Sequence, residues 1–319
     1  MTSRERVIRA LNFEEVDHVP IECDDVTGPW WIPGRGDRES YRALNPGFIS
    51  TDAWGCVWHA AEDGVAGEVK KPPLAGEDWS ALAGYQPPWE VIERADFSQV
   101  YRGCAETDKF VMPMWNGLPE PFQRMQFLRG TEQLFLDLAL DEPELYQLRD
   151  MVHDYYLRFF TRWMDTDIDG IHIQDDWGTQ TSLLISPASW RAFFKPLYRD
   201  YCDLAHAHGK YVVMHSDGYT RDIIPDLIEI GVNAVNLQLF CMDIEQLAEE
   251  FRGKICFWGE IDRQYLLTRG TPDEVRAAVD HVAHAFMPAR KTGVVGQWHG
   301  GKGHKPENEA AAHEAWKGY

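Results

Sequence analysis

The second half of the chain repeats one pattern, in which a short apolar run is followed by a longer stretch with helical periodicity. The apolar runs predict strands at residues 170–173, 211–215, 234–237, 256–259 and 294–296. Apolar positions spaced by three and four residues, with proline at some starts and glycine at some ends, predict helices at residues 186–208, 219–230, 244–251, 271–287 and 306–316. Strands and helices that alternate in this way indicate parallel βα units.

The first third of the chain is less regular. Residues 16–23 and 110–115 have the composition of strands, although each segment contains a proline. The stretch between them is rich in Gly, Pro and Trp, and residues 54–59 and 67–70 within it can pair as a hairpin. At the N-terminus, Val7, Ile8 and Leu11 share one face of a predicted helix that Thr2 or Ser3 caps.

These elements predict an α/β fold. We expect a single domain over residues 1–319, a (β/α)8 TIM barrel with an elaborated N-terminal region and an insertion at roughly residues 50–105.

Composition and charge narrow the class of protein. The chain has 319 residues, of which 44% are apolar and 26% are charged, so a large core is available. Thirty-one Lys and Arg against 51 Asp and Glu give a net charge of −20, which argues against a nucleic-acid or anionic-membrane partner. No apolar run approaches the ~20 residues that span a bilayer, and the N-terminal segment lacks the apolar centre of a signal peptide. Since the six cysteines are scattered without a CxxC pair, we expect a cytoplasmic protein with reduced thiols.

Polar side chains follow six predicted strands, at the point where each strand ends. In a barrel of this type the chemistry lies at the carboxyl ends of the strands, where such side chains converge. In chain order these residues are Glu22, Asp24 and Asp25; Gln174, Asp175 and Asp176; His215 and Asp217; Asn236 and Gln238; Glu260 and Asp262; and Gln297 and His299.

His215 and Asp217 form a candidate metal-binding pair. In an extended segment, side chains two residues apart face the same way, so one cation can take an imidazole nitrogen and a carboxylate oxygen. His299 or Glu260 can supply a third ligand, and three protein ligands with one open position are typical of a catalytic metal site. The alternative is a His–Asp hydrogen bond followed by a turn at Gly218.

Asp175 and Asp176 are adjacent and therefore point to opposite sides of an extended chain. We expect Asp176 to face the pocket and Asp175 to cap the next segment.

Long segments of this chain resemble the uroporphyrinogen decarboxylase-like superfamily, which also contains corrinoid-linked methyltransferases. The similar segments, in the order of the family, are TSRERVIRALNFEEVDHVP, FLRGTEQLFLDLALDEPEL, the block from DGIHIQDDWGTQ to DLIEIGVNAVN, FWGEIDRQYLLTRGTPDEV and KPENEAAAHEAW. The resemblance covers essentially the whole chain and implies a (β/α)8 barrel.

In the methyltransferase branch of the superfamily, a His-x-Cys motif and a later Cys hold zinc. The corresponding residues here are His215-Ser216-Asp217 and, aligned from Pro306, His299. The resemblance therefore implies a two-His, one-carboxylate site that suits Zn²⁺ best, with Fe²⁺ or Mn²⁺ as alternatives. It also argues against a site built on sulfur ligands and against a thiol as methyl acceptor.

True tetrapyrrole decarboxylation fits the chain less well. Decarboxylases of the superfamily carry an Arg-containing N-terminal segment that pairs with substrate propionates, whereas the segment here, IECDDVTGPWWIPGRG, begins with acids. Placing a substrate with eight carboxylates against these acids would cost several kcal/mol, on the order of like-charge repulsion at an interface.

We therefore expect a metal-dependent methyltransferase that demethylates a small methylated or methoxylated substrate, with a corrinoid protein as a possible partner. His215, Asp217 and His299 are the expected metal ligands, Glu260 is an alternate ligand or general base, and Asp176 orients the substrate. The residues expected to contact substrate are Asp24, Asp25, Trp115, Gln174, Asn236, Gln238 and Gln297.

Several further expectations accompany this one. Five tryptophans can face an aromatic or cationic methyl donor, with core packing as the alternative: Trp30, Trp31, Trp54, Trp58 and Trp115. A decarboxylase or hydrolase of a small acid is the second candidate function, and a non-catalytic ligand-binding barrel is the third. The superfamily resemblance also implies a homodimer.

Overall fold

The computed structural model describes residues 1–28, 49–60, 67–76, 78–113, 120–287, 292–298 and 301–319. The chain divides into two compact units, one comprising Met1–Trp30, Val100–Leu118 and Thr166–Tyr319, and the other comprising Trp31–Gln99 and Pro119–Asp165. Within the described ranges, no helix is both long and apolar enough to cross a bilayer.

The described strands, in chain order, are β1 (Val26–Thr27), β2 (Ile49–Thr51), β3 (Val57–His59), β4 (Glu68–Lys71), β5 (Phe110–Val111), β6 (Gly170–Gln174), β7 (Tyr211–Ser216), β8 (Ala234–Leu237), β9 (Cys256–Gly259) and β10 (Val294–Gly296). The described α-helices are α1 (Ser3–Leu11), α2 (Glu22–Asp25), α3 (Trp89–Glu93), α4 (Ser98–Ala105), α5 (Pro121–Arg129), α6 (Thr131–Leu140), α7 (Pro143–Met164), α8 (Pro187–Phe193), α9 (Lys195–Ala207), α10 (Ile224–Glu229), α11 (Ile244–Phe251), α12 (Leu266–Arg269), α13 (Pro272–Phe286) and α14 (Pro306–Trp316).

The first unit carries the (β/α)8 barrel, which confirms the predicted fold. Strands β6 to β10 form a parallel sheet in chain order, and β1 pairs in parallel with β5. Two further contacts continue the ring of strands. Ile21 bridges Gly296 in parallel, and the backbone N–H of Asp169 donates to the carbonyl oxygen of Val111 at 2.8 Å.

Helix α1 packs against the apolar interior of the barrel. Val7 and Leu11 of this helix are buried against inward-facing residues of the strands, and Thr2 caps the helix with Glu5 in a capping box, as the sequence predicts. The other members of this core are Val26, Phe110, Met112, Val213, Ala234, Cys256, Trp258 and Val295. This apolar layer is the floor on which the polar groups at the strand ends rest.

Two predicted elements differ from the structure. The helix expected at residues 186–208 is two helices, α8 and α9, separated at Phe194, because Pro196 has no N–H to donate to the preceding turn. The strand expected at residues 16–23 is a single bridge at Ile21 followed by the one-turn helix α2.

The second unit contains the antiparallel sheet β2–β3–β4, in which Val57–His59 pairs with Glu68–Lys71. Beside it, the guanidinium of Arg124 is fully buried and lies 3.2 Å from Asp52 and 2.9 Å from Glu120. A buried guanidinium needs such partners, since removing one of them would leave an uncompensated charge.

Candidate active site at the carboxyl ends of the barrel strands

A layer of polar side chains lies directly above the apolar floor of the barrel. Because side chains two residues apart share a face of a strand, His215 follows Val213 on the inner face of β7 and Asn236 follows Ala234 on that of β8. Both polar side chains are buried. The strand period therefore positions them in the barrel mouth.

The orientation of His215 is fixed by Asn236. The side-chain amide of Asn236 donates to the carbonyl oxygen of Trp258 at 2.9 Å and lies 3.4 Å from Oε1 of Gln297, so its Oδ1 is the acceptor for Nδ1–H of His215 at 2.6 Å. The second ring nitrogen, Nε2, is thereby directed at two carboxylates. A histidine whose other N–H donates to a fixed oxygen is the usual arrangement for a metal ligand.

The two carboxylates belong to Asp217 and Asp176. Nε2 of His215 lies 3.3 Å from Oδ1 of Asp217 and 3.7 Å from Oδ1 of Asp176, which also accepts the backbone N–H of Asp217 at 3.0 Å. One ligand atom from each residue lies within 4.8 Å of the others. Ligand atoms about 2.0–2.1 Å from a tetrahedral ion are roughly 3.3 Å apart, so these three residues fit a small divalent cation.

Strong electrostatic coupling links these groups. Burial alone would lower the pKa of His215, but the hydrogen bond to Asp217 and the charges of Asp176, Asp217 and Glu260 raise it to about 9. Burial opposes the charged form of Asp217, but His215 and Arg263 outweigh it and lower that pKa. Burial raises the pKa of Asp176, and the nearby charge of Asp217 adds to this effect. The site thus favours a cation, either an imidazolium or a bound metal, between the carboxylates.

Arg263 joins this cluster to Glu260. Its Nη2 lies 2.5 Å from Oδ2 of Asp217, and its Nε lies 3.2 Å from Oε1 of Glu260. The side chain of Glu260 is only 2% exposed, and burial raises its pKa to about 7 despite the opposing charges of Arg263 and His215. Sequence reasoning assigned a role to Glu260 but missed Arg263, although its position three residues later in the same strand-end loop was a usable signal.

Glu22 is a second carboxyl group with a raised pKa. Its Oε2 accepts the indole N–H of Trp258 at 2.6 Å, and burial raises its pKa to about 7. The sequence placed Glu22 at a strand end but gave it no role.

His172 lies in the barrel interior beside His215, with 6.1 Å between the ring centroids. Burial lowers its pKa to about 3, so this ring is neutral at physiological pH. Residues 170, 172 and 174 of β6 share one face, and this alternation was the signal that could have identified His172.

Two acids predicted to contact substrate, Asp24 and Asp25, are hydrogen-bonded to other residues of the protein. Asp25 is buried, with one oxygen 2.5 Å from Arg6 and the other accepting the N–H of Ile21. Asp24 accepts a hydrogen bond from Nε2 of His313 at 2.7 Å when that nitrogen is protonated. These contacts anchor α2, and the substrate contact expected of the two acids stays a prediction.

One of the amide side chains predicted to contact substrate, that of Gln238, is bonded to the residue next to Asp217. Oε1 of Gln238 accepts the backbone N–H of Gly218 at 2.8 Å, which ties the loop after β8 to the one after β7. Gln174 is buried at the end of β6, and Gln297 is buried directly after β10. Asp175 accepts the hydroxyl of Tyr198 at 2.6 Å and therefore points away from Asp176.

The structure describes two of the five tryptophans that the sequence offers as possible substrate contacts. Trp54 and Trp58 are buried within the second unit, where Trp54 packs on Tyr155 and Trp58 donates to Asp52, which is the core packing named as the alternative. Four predicted residues lie outside the described residues: Trp30, Trp31, Trp115 and the proposed ligand His299.

A ring of parallel strands that gathers imidazole, carboxylate and guanidinium groups at its carboxyl end has the layout of a barrel enzyme. Residues 48–312 match the family model for uroporphyrinogen decarboxylase (URO-D), and the chain belongs to this family. The family resemblance identified in the sequence is therefore confirmed.

Two curated relatives carry methyltransferase names. The chain is 22% identical to a methylcobamide:CoM methyltransferase, MtbA, of Methanosarcina acetivorans over 87% of each chain. It is 23% identical to the protein of the same name from Methanosarcina mazei over 89% of each chain. Among solved structures, a methyltransferase from Methanosarcina mazei superposes with a TM-score of 0.72 at 17% identity, covering 99% of this chain and 98% of that one. At this identity the superposition shows the shared fold.

Proposed function

We propose that this protein is a metal-dependent methyltransferase that removes a methyl group from a small methylated or methoxylated substrate, with a corrinoid protein as the acceptor. The observation that carries the proposal is the cluster of Asp176, His215 and Asp217 at the strand ends, whose ligand atoms lie within 4.8 Å of one another. The names of the two curated relatives support methyl transfer that involves a corrinoid, although in those names methylcobamide is the methyl donor.

His215, Asp217 and Asp176 would hold the metal, most simply Zn²⁺, with Fe²⁺ or Mn²⁺ as alternatives and His299 as a further candidate ligand. This assignment gives Asp176 a ligand role in place of the substrate-orienting role predicted from the sequence. When bound, the ion supplies a Lewis acid that polarises the leaving oxygen or nitrogen of the substrate.

The residues of the chain perform the remaining tasks. Asn236 holds His215 in one tautomer and orientation. Arg263 orients Asp217 through one carboxylate oxygen and leaves the other directed at His215. As the bond to the methyl carbon breaks, the leaving oxygen or nitrogen keeps the electron pair and takes a proton from Glu260, whose pKa is raised to about 7.

Metal analysis of protein purified without a metal-affinity tag tests the proposal. We expect close to one equivalent of metal in the wild type and loss of that metal in His215→Ala, with His208→Ala as the matched surface control. Methyl transfer is then measured as the spectral change of an added corrinoid protein with a panel of methyl donors. A wild type that binds no metal and changes no corrinoid spectrum contradicts the proposal.

The family description favours decarboxylation of a small carboxylic acid as a second candidate. His215, with a pKa of about 9, can neutralise a substrate carboxylate or the charge that develops as CO₂ leaves. Release of CO₂ without a corrinoid protein would favour this reaction over methyl transfer.

A further inference from the structure

A second group of potential metal ligands lies where α2 meets the last helix of the chain. Cys23 and Asp24 belong to α2, and His313 belongs to α14, 289 residues after Asp24. One ligand atom from each residue lies within 4.8 Å of the others. Thiolate, carboxylate and imidazole groups are the ligands that zinc takes in proteins. We call these three residues the Cys23 cluster.

Asp24 already gathers the other two groups. The thiol of Cys23 donates to its Oδ1 at 3.5 Å, and Nε2 of His313 donates to its Oδ2 at 2.7 Å. A sulfur and an oxygen ligand of one tetrahedral zinc ion are roughly 3.6 Å apart, and a nitrogen and an oxygen ligand roughly 3.3 Å. The thiol is therefore at the spacing of a ligand, and the imidazole needs to withdraw by only about 0.6 Å.

The surroundings of the cluster hold the imidazole in place and leave room for water. The ring of Trp298 packs against His313, with 5.2 Å between the centroids. Cys23 and Asp24 are exposed, and the side chain of His313 is 26% exposed. Water can therefore reach an ion bound here and complete a set of four ligands.

The local charges favour a divalent cation. A thiolate at Cys23 and the carboxylate of Asp24 carry two negative charges, and the charge of Glu22 acts on Cys23 as well. Lys317 is an opposing cation near Asp24, but its ammonium group is paired with Glu314 at 3.1 Å. Burial, and then the charge of Asp24, raise the pKa of the Cys23 thiol to about 11, so an ion must displace the thiol proton at neutral pH.

From this geometry we propose that Cys23, Asp24 and His313 form a second metal site, which takes a thiol-binding divalent cation such as Zn²⁺ or Co²⁺. On binding, the thiol releases its proton to solvent and its sulfur gives an electron pair to the ion. The proton of the neutral imidazole moves from Nε2 to Nδ1, so that Nε2 also gives a pair. The bound ion joins α2 to α14 and thereby stabilises the folded chain.

This site shares no residue with the cluster of Asp176, His215 and Asp217, so the inference stands apart from the proposed function. With three ligands open to water, it should release its ion on dialysis more readily than the buried His215 does. The metal content of the dialysed protein therefore reports the proposed catalytic site, and the second site has to be tested with added metal.

Cobalt(II) chloride is the probe, titrated into full-length protein in oxygen-free buffer. A thiolate ligand gives Co²⁺ an intense charge-transfer band in the near ultraviolet, which nitrogen and oxygen ligands do not give. Because the cluster around His215 has no sulfur ligand, the band reports the Cys23 cluster. We expect the band to saturate in the wild type, and to be kept in His215→Ala.

Variants of the three ligands should remove or weaken this band. Cys23→Ser should abolish it. Asp24→Asn and His313→Gln keep hydrogen-bonding groups of similar size but lose a ligand, so each should weaken Co²⁺ binding about tenfold or more. Cys241→Ser and His281→Gln are the matched controls, a partly exposed thiol and an exposed imidazole elsewhere, and should leave the band unchanged.

Three results would overturn the inference. A wild type without a saturable band has no thiolate-bound ion. A band that remains in Cys23→Ser comes from another thiol. A band that saturates at the wild-type Co²⁺ concentration in His313→Gln comes from a thiol that binds without the imidazole. Since all three ligands lie at least partly exposed, we expect each variant to fold, and circular dichroism checks this.

Discussion

His215 illustrates how a single buried side chain is prepared for its role by a neighbour that touches no substrate. Asn236 donates to the carbonyl oxygen of Trp258 and accepts from Nδ1–H of His215, so one amide fixes both the ring orientation and the tautomer. Only Nε2 is then left to face the carboxylates of Asp217 and Asp176.

Asn236→Ala should therefore weaken zinc binding by roughly 10- to 100-fold, the usual effect of removing an outer-shell partner of a ligand histidine. Competition with a chromophoric chelator measures the affinity. Asn12→Ala, which removes an exposed amide bonded to Tyr211, serves as the control. Equal zinc affinity in wild type and Asn236→Ala would show that Asn236 does not position the ligand.

Glu22 gives a pH-dependent prediction. Its folded-state pKa of about 7 lies above the ordinary glutamate pKa of 4.5, so the folded protein holds the proton more tightly and loses stability as the pH rises through this interval. Glu22→Gln keeps an acceptor for the indole of Trp258 but removes the buried charge.

The stability gained by Glu22→Gln over wild type should grow from less than about 1 kcal/mol at pH 5 to about 3 kcal/mol at pH 8. Urea unfolding of the metal-free proteins at both values measures it, with Glu249→Gln as a variant that shows no such trend. A stability difference that stays constant between the two pH values would contradict a raised pKa.

At the scale of elements, the loops after β6 and β7 are held together by their backbones. The N–H of Gly178 donates to the carbonyl oxygen of Asp217 at 3.0 Å. The N–H of Tyr219 donates to the carbonyl oxygen of Thr179 at 2.7 Å. A Cβ atom on Gly178 would lie 2.5 Å from the carbonyl carbon of Gly218 and 2.6 Å from the carbonyl oxygen of Asp217. Only glycine allows this approach, which brings Asp176 beside Asp217.

Gly178→Ala should therefore lower the free energy of unfolding by about 1–3 kcal/mol and also reduce bound metal, since the two loops must separate. Gly103→Ala is the matched control, because it lies in α4 with nothing near the new methyl group and should stabilise the protein by about 0.5–1 kcal/mol. Thermal unfolding and metal content measure both effects. Normal metal content in Gly178→Ala would show that the loop contact does not support the site.

Element boundaries were predicted well where local chemistry dominates. Thr271, Pro272 and Glu274 begin α13 with a capping box at the expected residue, because a cap depends only on its own few residues. Residues 16–23 were wrongly expected to be a strand, because the buried pair of Arg6 and Asp25 anchors α2 and no local pattern reveals such a contact.

At the scale of the whole molecule, the repeat of strands and helices was sufficient to predict the barrel, and the strand ends were sufficient to predict where the polar groups gather. The side-chain geometry was not predictable in the same way. The contacts of Arg263 with Asp217 and Glu260 depend on loop conformations that a linear pattern does not encode. The ligand and catalytic roles assigned to these residues stay predictions until metal and activity are measured.

The net charge of −20 also acts on the whole molecule, since excess acidic charge destabilises a compact chain through self-repulsion. Raising sodium chloride from 10 to 150 mM should therefore raise the midpoint of thermal unfolding, by about 2 °C for each kcal/mol of repulsion that is screened. Sucrose at matched osmolality controls for non-ionic effects. A midpoint that falls with salt would indicate that attractive ion pairs outweigh the repulsion.

Asp176, His215 and Asp217 offer nitrogen and oxygen atoms and no sulfur. Peroxide converts reactive thiolates to sulfenic and sulfinic acids, which destroys a sulfur-ligated centre, but it leaves imidazole and carboxylate donors largely unchanged. A metal ion held by these three residues should therefore resist oxidants. Zinc bound to them should stay in place during handling in air, under conditions that strip a thiolate-bound centre.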